Sequence, residues 1–173
     1  MSRGRKWALG IVIALVVLVV VPSLARRYLM RPGVAPVVSG MYTIGSAQEI
    51  YASANGGFYD RLECLAAPAD CIPGYPRDSP TLLDPRLAGL PDEDGYARFF
   101  FPGPRVPEEV SREAGCSPSS VTSYAVLAVP RKPVEGKSRL FCLDDTGDIR
   151  VSPNRPEMPV LKDGRCPGEW DPI

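Results

Sequence analysis

Five cysteines, Cys64, Cys71, Cys116, Cys142 and Cys166, are the residues best equipped for covalent chemistry in this chain of 173 residues. No histidine accompanies them. Zinc sites commonly combine thiolates with imidazoles, so these thiols read as disulfide partners rather than metal ligands. Cys64 and Cys71 are separated by six residues with Pro68 between them, a spacing that a loop can close. An odd number of thiols leaves one over. Connectivity does not follow from spacing alone, and free buried cysteines are the competing reading. Each bridge that forms is worth about 2–4 kcal/mol by the loop-entropy account.

Acidic residues are the other chemistry-bearing group. Asp144, Asp145 and Asp148 form a small acidic loop. Carboxylate oxygens suit calcium, a hard cation, so these three are the calcium candidates. The plainer reading is a hairpin turn, in which Asp, Thr and Gly supply local hydrogen bonds and a left-handed residue. The turn is the favoured reading, and no metal or other cofactor is expected. Asp92, Glu93 and Asp94, beside Glu108 and Glu109, are a conceivable carboxylate pair for glycoside hydrolysis. They lie in proline-rich loops without an accompanying signature. The lack of histidine removes the commonest general base at neutral pH and the Ser-His-Asp triad. A non-catalytic protein is therefore expected.

The elements that position these residues begin with an apolar N-terminus. Met1 to Lys6 carries Arg3, Arg5 and Lys6. The stretch from Trp7 to Ala25 follows without a charge, about the length a helix needs to cross a bilayer. It is apolar all round, which fits lipid on every side, with Trp7, Ile11, Leu15, Leu18 and Val21 as anchor residues. Residues 1–27 are read as a membrane anchor. The alternative is a signal peptide cleaved after Ala25, which releases a secreted, disulfide-containing binding module. Either reading exports the remainder of the chain, and disulfides suit an oxidising compartment. Twenty basic residues balance twenty acidic ones. That neutral balance gives no support for a nucleic-acid partner.

Residues 28–36, ending Arg31-Pro-Gly-Val-Ala-Pro36, are expected to break any continuous helix. Val37, Met41, Ile44, Ala47 with Gln48, and Tyr51 then recur at three- and four-residue spacing, one face of an amphipathic helix. Ala54-Asn55-Gly56-Gly57 ends it. Phe58 to Cys64 fits a further helical turn, and Cys64 to Ala88 a proline-punctuated loop. Leu82 to Leu87 reads as a turn holding apolar residues against the core. Strand signals cover Tyr96–Phe101, Val121–Val129, Arg139–Leu143 and Ile149–Val151. In Tyr96, Phe99, Phe100 and Phe101 a sticky surface patch competes with strand core, and core is favoured. Close spacing of the last three strands predicts an antiparallel meander, hence an α+β fold with the helix on one sheet face. The tail from Ser152 has little periodicity. Residues 37–173 are expected to form one domain.

This ordered set resembles the type IV pilin and pseudopilin family. The supporting pieces are Ile44-Gly45-Ser46-Ala47-Gln48-Glu49-Ile50-Tyr51-Ala52-Ser53, then Leu82-Leu83-Asp84-Pro85-Arg86-Leu87-Ala88 with Gly95-Tyr96. Tyr124-Ala125-Val126, Ser138-Arg139-Leu140-Phe141-Cys142 and Asp145-Thr146-Gly147-Asp148-Ile149-Arg150 complete the series. The resemblance implies a single-pass protein of the bacterial inner membrane, its domain facing the periplasm or cell exterior. Membrane lipid, other pilin-like subunits and secretion-machinery proteins are the partners it implies, as a component or relative of type IV pilus or type II secretion machinery. It also implies a Cys142–Cys166 bridge that staples the tail to the sheet, as in many pilins, with Cys116 left over. Some pseudopilins hold calcium near this end. Lys6-Trp7-Ala8-Leu9-Gly10 departs from the family's prepilin peptidase site, and the glutamate near the mature N-terminus is missing. A carboxylate in lipid is costly and is kept only where it is used. Its absence points to a pilin-like domain on a fixed anchor rather than a working pilus subunit.

Overall fold

The computed structural model describes residues 34–92, 95–133, 138–152 and 158–173. The first element among these residues is the helix α1, Val34–Ala54. Among the described residues this helix already includes residues 34–36, part of the segment expected to break it. Val37, Met41, Ile44, Gly45, Ala47, Gln48, Tyr51 and Ala52 are its buried residues, and they include every position of the expected apolar face. Gly57 N–H donates to the Ala52 carbonyl at 2.8 Å and closes the last turn.

Among the described residues four short helices lie in the connections: α2 (Leu62–Ala66), α3 (Pro68–Cys71), α4 (Pro85–Ala88) and α5 (Glu108–Ala114). Phe58 to Asp60 is not helical, and Tyr59 instead bridges to Val121. The expected helical turn is displaced onto α2. Leu83 is fully buried beside α2, with its N–H on the Leu65 carbonyl at 3.2 Å. Residues 82–87 thus do hold an apolar side chain inward.

Five antiparallel strands follow in sequential order: β1 (Tyr96–Pro102), β2 (Tyr124–Pro130), β3 (Phe141–Asp144), β4 (Ile149–Val151) and β5 (Asp171–Pro172). β2 begins three residues later than its β-branched run suggested. Val121 leaves the ladder to bridge Tyr59 and Arg105. The central strands β2 and β3 are buried on both faces. That explains their nearly continuous apolar runs, since alternation needs one wet face. The fifth strand is absent from the sequence reading. Two residues, one of them proline, carry no strand signal of their own.

Register divides the side chains between two faces. Arg98 opposes Ala128, Phe100 opposes Val126, and Val126 opposes Leu143. These residues face α1: a Cβ added at Gly45 would sit 3.2 Å from Leu143, and one at Gly40 would sit 2.7 Å from Arg98. Tyr96 packs on Phe141 at 5.8 Å, and Phe100 stacks on Tyr124 at 6.1 Å, between ring centroids. On the opposite face Ala125, Leu127, Leu140 and Cys142 form a second core with Cys166 and Trp170, and Phe101, Val129 and Leu161 pack against it. The aperiodic tail is therefore the second covering layer. It crosses the sheet and rejoins it as β5. The aromatic run divides between these surroundings: Tyr96, Phe100 and Phe101 pack inward, while Phe99 is 41% exposed.

Candidate functional site

Both disulfides form. Cys64 joins Cys71 across α2 and α3, and Cys142 joins Cys166 between β3 and the tail, with Cα atoms 5.6 and 5.7 Å apart. Cys116 is the free thiol and is buried. It lies 3.3 Å from Ser111 Oγ.

A buried polar network ties α1 to the segments around it. Asp60 is fully buried. Its Oδ2 accepts from Tyr51 Oη and from Ser119 Oγ, each at 3.1 Å, and its Oδ1 accepts from the Arg61 N–H at 2.8 Å. Gln48 brackets the Asp60 backbone, donating from Nε2 to the carbonyl and accepting from the N–H. Asn55 extends the network: Nδ2 donates to Phe58 O and Ser120 Oγ, and Oδ1 accepts from Ser117 N–H at 2.7 Å. Burial pushes the Tyr51 hydroxyl far above its ordinary range, and the Asp60 carboxylate adds to the effect. The spacing of Gln48, Tyr51 and Asn55 placed them on or after the helix. Asp60 meets Gln48 and Tyr51 across 12 and 9 residues, but nothing local showed that the serine-rich segment 117–120 would join them, since those contacts span about sixty residues.

The acidic loop is a turn. Asp144 Oδ1 accepts from the Thr146 N–H at 3.1 Å and the Thr146 hydroxyl at 2.6 Å, and its Oδ2 accepts from Cys166 N–H at 2.9 Å. Asp148 is exposed, and its own N–H donates to Thr146 Oγ1. Asp145 instead pairs with Arg165 at 3.0 Å. The three aspartates suggested as calcium ligands thus have three different surroundings. Among the described residues no group of three or more acidic, cysteine or histidine side chains is arranged around one metal position. The remaining acidic candidates are dispersed as well. Asp92 pairs with Arg131, and Glu108 with Arg112 at 2.7 Å. Glu109 is exposed, and Glu93 and Asp94 lie outside the described residues.

Asp145 lies near Tyr59, Tyr124 and Glu49. Tyr59 packs edge-on against Tyr124 at 5.0 Å between centroids and donates to Glu49 Oε1 at 3.1 Å. The Tyr59 hydroxyl is pushed up to about 12 by burial, then by Glu49. Tyr124 is raised too, again chiefly by burial. Asp145 Oδ1 and Tyr124 Oη are buried without a hydrogen bond among the described residues. The Asp145 carboxyl is raised above its ordinary value because burial outweighs the Arg165 attraction. A raised carboxyl binds its proton more tightly folded than unfolded, so its charge opposes folding at neutral pH. That penalty fades as pH falls through the folded-state pKa. Asp145→Asn, which keeps the shape and an acceptor for Arg165, should therefore raise the urea midpoint at pH 7. The gain should shrink toward pH 4, and a midpoint that falls at pH 7 would reject the assignment.

The outer face of α1 is a different kind of surface. Ala35, Ser39, Tyr42, Thr43, Ser46, Glu49, Ile50 and Ser53 are exposed along it. Glu49 is the single charged residue in the helix, and Tyr42 and Ile50 are about half exposed. A solvated helix face normally carries mixed charges, so this near-neutral, small-residue face is atypical of one that meets only water. The expected anchor residues Trp7, Ile11, Leu15, Leu18 and Val21 lie outside the described residues. Among the described residues no helix is long and apolar enough to cross a membrane. No family model matches the chain, and neither a curated protein nor a solved structure matches it.

Proposed function

We propose that this protein is a non-catalytic, membrane-anchored, pilin-like interaction protein, a component or relative of type IV pilus or type II secretion machinery. The carrying observation is the outer face of α1, with one charge in 21 residues and with Tyr42 and Ile50 exposed. In sequence this helix follows closely on the uncharged stretch Trp7–Ala25. The reading has that stretch hold the chain in the bacterial inner membrane, with the domain on the periplasmic or outer side. Two disulfides support an oxidising compartment. The resemblance to the pilin family, in which an apolar helix leads into an amphipathic one, supplies the class of partner: other pilin-like subunits or secretion-machinery proteins.

Two measurements test it. Fractionation of native cells should leave the chain in the membrane pellet after alkaline extraction, with its N-terminal segment intact by mass. A mature start at Arg26 in a soluble fraction would replace the anchor with the secreted binding module. A photo-crosslinker at Tyr42 or Ile50 should then give discrete adducts in the native membrane. Tyr42→Lys with Ile50→Lys should abolish adducts formed from a crosslinker at Ser46 and leave the fold intact, because both side chains already face solvent. Adducts that persist unchanged would remove the helix face from the interface.

A further inference from the structure

The two edges of the sheet are built differently. β5 is two residues long and contains Pro172, and short length and proline are both known protections against unwanted strand pairing. β1 is seven residues long and carries Phe99, Phe100 and Phe101. Gly103 N–H donates to Ser123 O, and Arg131 N–H donates to Gly95 O. These bonds place the odd-numbered residues of β1 in the hydrogen-bonded pairs with β2. Backbone groups alternate in direction along an antiparallel strand. The N–H and C=O of Phe100 therefore point to the open side, where no other backbone group bonds them among the described residues.

A groove of about 560 Å³ runs along that side, between β1 and two walls formed by residues 61–63 and 88–90. Leu90 stands at its lip with φ of 48°, a left-handed conformation unusual for a bulky residue and one that clusters at binding sites. Arg61 and Glu63 line the same wall and are exposed. Neither is in an ion pair among the described residues.

We propose that this groove is a strand-docking site for one extended peptide segment of a partner protein. The segment adds to β1 through the outward N–H and C=O of Phe100. Its apolar side chains alternate toward Leu90 and Phe99, and it carries an acidic residue for Arg61 and a basic residue for Glu63. Main-chain bonds supply affinity in such strand addition, and the flanking pockets and charges supply selectivity. A single chain is the occupant because the walls stand beside the edge. The edge of a second copy would bring its own walls and be held away.

The test is peptide selection on the full chain in detergent micelles, using a random phage-displayed library. Counter-selection uses Gly89→Trp, which bulks the wall. Gly89 has a negative φ of −71°, and an added Cβ there meets nothing closer than 3.5 Å, so the backbone accepts the change. Selected peptides should alternate apolar residues and carry both charges. A synthetic copy should slow amide exchange of isotope-labelled Phe100 by about tenfold or more. No enrichment over the Gly89→Trp protein, with both disulfides intact in each, overturns the proposal. So do selected peptides that leave Phe100 exchange unchanged. If Gly89→Trp does not fold, Arg61→Glu combined with Glu63→Arg replaces it. Those peptides should then bind about tenfold more weakly, and equal binding overturns the proposal.

Discussion

Asp60→Ala should destabilise the domain by about 3 kcal/mol. Asp60 is fully buried and accepts from the Tyr51 hydroxyl, the Ser119 hydroxyl and the Arg61 N–H. Truncation leaves the buried Tyr51 hydroxyl facing an empty space, and a buried orphan costs about 1–3 kcal/mol; the half-buried Ser119 hydroxyl keeps Ser117 Oγ at 3.0 Å. Tyr51 has the further disadvantage of zero exposure, so water cannot replace the lost acceptor without opening α1. Asp60→Asn keeps the shape and one acceptor oxygen, and should cost about half as much, since its amide donates where the carboxylate accepted. Urea unfolding checks both: the midpoint should fall in the order native, Asn, Ala, with an unchanged m-value. An alanine variant within about 1 kcal/mol of native would show that the network is incidental to the fold.

Removing the Cys142–Cys166 bridge should be comparably damaging. Its separation is 24 residues, for which the chain-entropy relation gives about 3.5 kcal/mol, against about 2.5 kcal/mol for Cys64–Cys71 with a separation of 7. The location adds to the difference. Cys166 and Trp170 belong to the core on the face away from α1, and Leu161 packs against it. Without the staple, the tail keeps the bond from Cys166 N–H to Asp144, the Arg150–Trp170 bond, the Asp145–Arg165 ion pair, the bond from the Ser123 hydroxyl to the Asp163 carbonyl and the β4–β5 pairing. Cys142→Ser with Cys166→Ser should lower Tm by roughly 10 °C. The Trp170 near-ultraviolet signal, read in a Trp7→Phe background, should weaken below the midpoint as the tail frays. The matching Cys64→Ser and Cys71→Ser pair should leave that signal native. A smaller loss at Cys142–Cys166 than at Cys64–Cys71 would show that the tail layer is held by its other contacts.

Local patterns made much of this architecture legible. Val37, Met41, Ile44, Ala47, Gln48 and Tyr51 are all buried on α1, because a helix of 3.6 residues per turn brings those spacings to one side whatever it packs against. β1, β3 and β4 fall close to their aromatic and β-branched runs. The acidic loop closes as a hydrogen-bonded turn between β3 and β4, as Asp, Thr and Gly favour.

The tail and the polar network were not legible in the same way. Residues 158–172 show neither period two nor period 3.6, yet they cover a sheet face and supply β5. Cysteine pairing and a single tryptophan hold them there, and neither leaves a repeating pattern. Asp60 fell within the expected helical turn, and no pattern linked it to Ser117, Ser119 and Ser120. Their meeting accompanies the bridge from Val121, outside β2, to Tyr59, a contact between segments about sixty residues apart. The groove beside β1 also arises from packing, since residues 61–63 and 88–90 reach one strand edge only through the folded chain. Side-chain periodicity is a property of neighbours along the backbone, and it could be read before folding. Which carboxylate loses water, which strand edge stays open and which surface the tail covers are set by contacts between distant segments. Loop closure brings those segments together, and no local pattern encodes it.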